Sequence, residues 1–331
     1  MNNYLSMKTK NIQYRELGLF IFIVFICIFV QLRNPEFLTI SNIKDLLVNT
    51  AILSILAMGM MLVLLTGGID LSIGANIAFS GMLAALTLQH NPTLPVVLAV
   101  LEGMSVGAFS GLIIGILIAQ FKILPIIASL GMMNILRGLT FLISRGKWVS
   151  AYQMPQSFKN IAVGNTCGIN NMLLIAVGIY IIFWFFINHT RNGRWLYAVG
   201  SNREAAEISG IPAKKTTALA YVLMGILAGL GGVLWVAKFA SAQGDTATGY
   251  EMNVIAACVL GGISVSGGSG KISGLILGTI LFGILNNALP LINVSPFWQT
   301  GIQGLVILTA IITNVYVKRE TDKNVLKRRI I

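Results

Sequence analysis

The sequence is short of charge, histidine and cysteine, and each shortage excludes something. Only 10% of its residues are charged, where a soluble domain carries about a quarter. Hydrophobic residues make up 56% of the chain, and the mean hydropathy is +0.82. A water-soluble core cannot absorb that much apolar side chain, whereas a bundle of membrane spans can. The chain therefore reads as an all-α polytopic membrane protein. The two histidines, His90 and His189, lie in loops with no partner at metal-ligand spacing. The three cysteines, Cys27, Cys167 and Cys258, are scattered and form neither a disulfide framework nor a metal cluster. No nucleophile elbow is present, and ionisable groups inside the apolar runs are too few for an intramembrane enzyme. A catalytic centre and a cofactor of the chain's own are thus not expected.

The apolar runs are long and cleanly punctuated. Residues 1–16 are polar and basic, and residues 17–32 form the first run. No small-x-small cleavage site follows it, so it reads as a retained span rather than a signal peptide. Between residues 46 and 121 the only charges are Asp70 and Glu102, a length that holds three spans of about 20 residues. The breaks TGGID and HNPTLP divide it near 46–66, 71–89 and 94–120. Further spans are expected near 123–143, 172–188, 216–238 and 252–266. Residues 272–317 carry no charge and divide between Pro290 and Pro296 into two more, making ten. Residues 17–317 form one transmembrane domain, followed by a basic tail over 318–331.

Ten spans put both termini on one side, and the cations say which. With cytoplasmic termini, the inner side holds sixteen Lys and Arg residues and the outer side six: Arg33, Lys44, Arg145, Lys147, Lys159 and Lys238. Arg137 alone falls inside a span. The positive-inside rule favours cytoplasmic termini. That distribution also explains the +12 net charge. Nucleic acid is not implied, because the basic residues are not clustered with base-stacking aromatics.

Mid-chain, between two charge-free runs, residues 188–212 turn abruptly polar and carry Arg191, Arg194, Arg203, Glu204 and Glu207. Ser201-Asn202-Arg203-Glu204 has the form of a capping box, and Gly210 with Pro212 supplies a stop. A short helix in water is expected over 201–210, within a cytoplasmic loop at 189–215, where a cytosolic protein could reach it.

Two glycine-rich breaks share a layout: TGGIDLSIG at 66–74 and GGISVSGGSGKISG at 261–274. Each precedes an outward span rich in small residues, an arrangement consistent with internal duplication. The second is not a P-loop, since Gly270-Lys271 has Val265 where the motif needs Gly and is followed by Ile272. Asp70 has two readings: a cap on the span that follows, or a participant in passage or gating. Glu102 and Arg137 are placed to pair across adjacent helices or to stand near a rim. Asp70, Asn76, Asn286, Asn287, Phe297 and Trp298 are candidate path residues, since amides hydrogen-bond sugars and aromatic faces stack on them. For the two aromatics, an interfacial belt is the alternative.

LTGGIDLSIG, GRWLYAVGSNREAAEISGI, YEMNVIAACVLGGISVSGGSGKISG and NNALPLINVSPFWQTGIQGLVIL together resemble the permease subunits of ribose-type carbohydrate ABC importers. The resemblance covers residues 17–317. RGKWVS and IAACVLGGIS are similar to permeases for rhamnose-like sugars and for the furanosyl signal autoinducer-2. The resemblance implies a bacterial inner-membrane, multi-pass subunit that moves a small sugar-like substrate. The implied partners are a cytosolic ATPase, which binds the ATP, a periplasmic or lipid-anchored binding protein, and a second permease chain. It further implies that Ser201, Asn202, Arg203, Glu204, Ala205, Ala206, Glu207, Ile208, Ser209 and Gly210 form the coupling helix that docks on the ATPase. An ion-coupled secondary transporter of small polar solutes is the alternative, but it would need intramembrane acidic or histidine relays, for which only Asp70 and Glu102 are on offer.

Overall fold

The computed structural model describes residues 2–295, 297–306, 308, 309 and 312, with side chains from Glu16 onward. In chain order the helices are α1 (Asn2–Arg33), α2 (Ile40–Leu65), α3 (Ile73–His90), α4 (Val96–Ala119), α5 (Pro125–Ser144), α6 (Gln156–Val163), α7 (Asn171–His189), α8 (Arg191–Ser201), α9 (Arg203–Ile208), α10 (Ala213–Phe239), α11 (Tyr250–Leu260) and α12 (Ile272–Leu291). A two-stranded hairpin, Asn165–Thr166 with Ile169–Asn170, stands between α6 and α7.

Among the described residues seven helices are long and apolar enough to cross a membrane: α1 from Glu16, α2, α4, α5, α7, α10 and α12. The expected ten are thus met unevenly. The span expected at 71–89 is the 18-residue α3, which is not among the seven. The one expected at 252–266 is α11, only 11 residues long, because Gly261 and Gly262 end it early. The last, after Pro296, is helical over 297–306 and at 308, 309 and 312, and its other residues lie outside the described ones.

The chain divides into two compact units. The larger holds residues 48–255 and 265–269 and is built on α10. Helix α4 carries Gly103, Gly107, Gly111 and Gly115 at every fourth position, so one face of it has no side chains over four turns. That face lies on α10. A Cβ at Gly107 would run into the Gly225 carbonyl, one at Gly111 into the Tyr221 carbonyl, and one at Gly115 would come within 2.8 Å of the Ala218 Cα. Helix α3 approaches α10 in the same way, with Gly81 2.7 Å from the Gly232 carbonyl by the same measure. Such contacts replace the hydrophobic drive that lipid removes, because helices that approach closely gain van der Waals contact along their whole length. On its other side α10 meets α2, where Gly59 faces Met224 and Leu56 faces Gly231.

The smaller unit holds residues 1–47, 256–264 and 270–331. In it α1 packs on α12 through Ile23, Val30, Leu281, Ile284 and Ala288. Helices α11 and α12 touch backbone to backbone at Gly261 and Gly274. Only 11% of the α1 span is buried, against 78% of α2, so most of its apolar side chains are left for lipid or for another chain.

Glu102 and Arg137 do not pair with one another. Glu102 accepts from Thr87 Oγ1 at 3.0 Å, while Arg137 donates to the Gly244 and Thr246 carbonyls at 2.8 and 2.9 Å. A guanidinium held by two carbonyls needs no carboxylate across the helix, and the segment between α10 and α11 supplies them.

Two outcomes check this description. With the orientation that the cations favour, exposed Cys167 in the hairpin should react with a membrane-impermeant maleimide in intact cells, and buried Cys258 should not. Labelling of Cys167 only after permeabilisation would mean the opposite orientation. Gly107→Leu should cost at least about 1–3 kcal/mol by forcing α4 off α10, seen as a lowered melting temperature in detergent. Gly131→Leu on α5, which has open space around its Cα, should leave that temperature nearly unchanged.

Candidate functional site: a capped helix beside two glycine-rich breaks

The polar stretch after α7 folds into two helices rather than one. Thr190 caps α8, its Oγ1 accepting from the Gly193 amide at 3.1 Å. Gly193, Leu196 and Val199 then form the buried face of α8, and Arg191 stacks on Trp195 at 5.1 Å on the other side. Burial pushes the Tyr197 phenol up to about 12, so it stays neutral at any working pH. The sequence reading missed α8, although the three-residue spacing of its buried positions was there to find.

Helix α9 begins one residue later than the capping-box pattern predicts. Ser201 is still the last residue of α8, so it is not available to start a new helix. Asn202, extended at φ −158°, is the cap, and its Oδ1 accepts from the Ala205 amide at 3.0 Å. Glu204 therefore sits in the first turn without closing the expected box with Ser201. There it still favours the positive end of the helix dipole. An Asn cap is worth about 1 kcal/mol.

The other end follows the expected stop. Gly210 is left-handed at φ +77°, its amide donates to Glu207 O and the Ile211 amide to Ala206 O, both at 3.0 Å. This is a Schellman closure, with Ile211 packed near Ala206 as the motif requires. Of the six helical residues only Ala206 is buried, against Val199 and Ala213. Ser201, Asn202, Glu204, Ala205, Glu207, Ser209 and Gly210 face outward, and Arg203 is half-buried. Arg203 and Glu207 pair at 3.3 Å, both largely in water, which is worth a few tenths of a kcal/mol on the order of exposed pairs generally. Ile208, 88% exposed, is a lone large apolar side chain at the tip.

The first glycine-rich break meets the end of α8, where a Cβ at Gly200 would run into the Leu65 carbonyl. Helix α2 ends in its own Schellman closure, with Gly67 at φ +79°, Gly67 N donating to Leu64 O and Gly68 N to Val63 O. The Tyr221 hydroxyl of α10 donates to Ile69 O at 3.1 Å. Asp70, only 2% exposed, accepts from the Ser72 amide at 2.8 Å and the Ser72 hydroxyl at 2.6 Å. It thus caps the turn that leads into α3, because α3 starts at Ile73 rather than at Leu71. Asn76, one turn further, donates to Ser110 Oγ at 2.8 Å, while its Oδ1 is buried and meets no donor among the described residues.

The candidate path residues in the smaller unit stand differently. Asn287 exchanges two amide hydrogen bonds with Asn42, at 2.9 and 3.0 Å, and Asn286 Oδ1 accepts from Gln303 at 2.7 Å. Those amides are occupied within the fold. Phe297 and Trp298 are 89% and 72% exposed. In the larger unit, a cleft at the C-terminal ends of α3 and α5 is lined by Gln89, His90, Arg145, Lys147 and Trp148, a set the sequence reading did not assemble.

Comparison with known proteins fits this arrangement. The family model described as branched-chain amino acid transport system / permease component matches residues 42–311. The ribose import permease protein RbsC of Bacillus subtilis is 39% identical over 298 residues, 90% of this chain and 92% of that protein. The protein of the same name from Escherichia coli K12 is 37% identical over 289 residues, covering 86% and 89%. The L-arabinose transport system permease protein AraH of Escherichia coli K12 is 36% identical over 305 residues, covering 92% and 90%. No solved structure matches. This chain belongs to the branched-chain amino acid transport system / permease component family, as a multi-pass membrane permease.

Proposed function

We propose that this chain is the transmembrane subunit of an ATP-binding-cassette importer in the bacterial inner membrane, moving a small sugar of the pentose class inward. The observation that carries the reading is identity of 36–39% over nearly the whole chain with permeases named for ribose and L-arabinose. A separate cytosolic ATPase binds and hydrolyses the ATP and seats on α9. A periplasmic or lipid-anchored protein delivers the sugar, and a second permease chain completes the pathway.

Three properties of α9 support the coupling assignment. It is capped at both ends, so it can bear force without unwinding. Ala206, its only buried residue, ties it to the start of α10 through Ala213. Its outward face is small at Ala205 and Ser209, apolar at Ile208 and charged at Glu207, a combination suited to seating in a groove of another protein. The Arg203–Glu207 pair has the cation first, which is the less favourable order for helix stability. Its value is then in orienting both charges toward a partner.

Asp70 and Asn76 are the path residues we favour in the larger unit, since both are buried polar groups and Asn76 keeps an acceptor free of any described donor. A sugar hydroxyl is a suitable donor for it.

Proteoliposomes holding the permease, its co-purified ATPase and the binding protein should take up labelled ribose or arabinose only with ATP, and uptake should survive a protonophore. Uptake that needs a proton gradient and ignores ATP would sink the importer reading in favour of a secondary transporter. ATP-driven uptake of leucine but not of either pentose would move the substrate to the amino-acid class. Ile208→Asp, which touches no buried contact, should leave the melting temperature unchanged and yet lower uptake about tenfold or more, as loss of an interface anchor does. Normal uptake by that variant at normal expression would remove α9 from the coupling role.

A further inference from the structure

Gly200 is the residue before the last of α8, two positions ahead of the α9 cap. A Cβ there would run into the Leu65 carbonyl at the foot of α2 and lie 2.7 Å from the Gly268 amide. Those two groups are themselves hydrogen bonded, Gly268 N donating to Leu65 O at 3.0 Å. A Cβ at Gly267 would sit 2.7 Å from Gly200 O and 3.0 Å from the Gly67 amide, and one at Gly268 would sit 2.7 Å from the Ser201 Cα. Three segments therefore cross with backbone against backbone: the end of α2 with the first glycine-rich break, residues 265–269 of the second, and the lead-in to α9.

A junction of this kind behaves differently from one made of side chains. A long side chain between two elements absorbs a displacement by changing rotamer, whereas packed backbones have nothing to yield and move together. The glycine-rich breaks are also where the chain lacks the helical ladder, so they bend at least cost. The first is held further by Tyr221 on Ile69 and by the Asp70–Ser72 turn, which carries any movement into the first turn of α3.

We propose that Gly200 is a positioning residue that locks α9 to both glycine-rich breaks, so that one displacement of α9 reaches the foot of α2, the start of α3 and residues 265–269 together. The inference rests on the coupling role proposed for α9 and deepens it. A lever joined to one helix would tilt that helix alone. A lever joined to both breaks moves the two irregular segments of the larger unit in a single step.

Hydrogen–deuterium exchange on the permease–ATPase complex tests this, comparing the nucleotide-free state with the state trapped by ATP and orthovanadate. In the native complex, exchange over 64–72 and over 265–269 should change together with exchange over 203–208. In Gly200→Ala, whose methyl must push the Leu65 carbonyl away, the change over 203–208 should persist and the other two should be lost. Uptake should fall roughly tenfold, within the usual range of a coupling energy. The melting temperature should drop, since backbone must shift to admit the methyl, but the ATPase should still co-purify, a readout that a collapse of the fold would not spare.

A change confined to 203–208 in the native complex overturns the junction while leaving the coupling helix in place. No change over 203–208 between the two nucleotide states removes the coupling role itself, and the junction with it. Should Gly200→Ala fail to accumulate, the native comparison decides alone.

Discussion

The contact on which the larger unit depends is the approach of α4 to α10 without side chains between them. Glycine at positions 103, 107, 111 and 115 removes every Cβ from one face of α4, and α10 answers with Gly225 and Gly229. In lipid, apolar side chains gain little by leaving their solvent, so association rests on close packing and on polar contacts. Once α4 is seated, α3 has only the neighbouring face of α10 to occupy, and Ser80 and Gly81 meet Gly232 there. Tyr221, whose carbonyl faces Gly111, then has its hydroxyl in reach of Ile69. The position of the first glycine-rich break thus follows from helix packing elsewhere.

Breaking a helix in an apolar surrounding exposes backbone groups that no water can satisfy. Each break is closed in the same way at its start. The α2 terminus folds back on Val63 and Leu64, and the α11 terminus on Cys258 and Val259, with Gly67 and Gly262 in the left-handed region. Beyond that closure the solutions differ. The first break uses a tyrosine hydroxyl and an aspartate; the second lends its Gly268 amide to Leu65. Asp70 is costly to bury as an ion, and its two hydrogen bonds from Ser72 are what the turn offers in compensation. Its position at the entrance of α3 serves structure whether or not a substrate passes.

Force transmission and catalysis ask different things of residues, and the build of α9 suits the coupling role proposed for it. The residues around α9 are small, capped and rigidly seated, which suits an element that is pushed. Among the described residues none of the ten from Ser201 to Gly210 is in a buried ionic network; their one ion pair, Arg203–Glu207, is exposed.

Much of this was legible without coordinates. Composition alone determined a helical membrane protein, because no soluble core could hold 56% hydrophobic residues. The polar island at 188–212 marked a short capped helix outside the apolar runs, since charge interrupts such a sequence where there is water. Gly210 and Pro212 placed its end. The start was misread by one residue, as local patterns allow both Ser201 and Asn202 to cap and only the continuation of α8 excludes the first. Glu102 and Arg137 were likewise close in sequence logic and turned elsewhere in space, because carbonyls from residues 244 and 246 compete for the guanidinium. The meeting of Gly67, Gly200 and Gly267 lay beyond any sequence rule. Glycine has no side chain to advertise a partner, and residues so far apart in the chain come into contact only when the helices that carry them have packed.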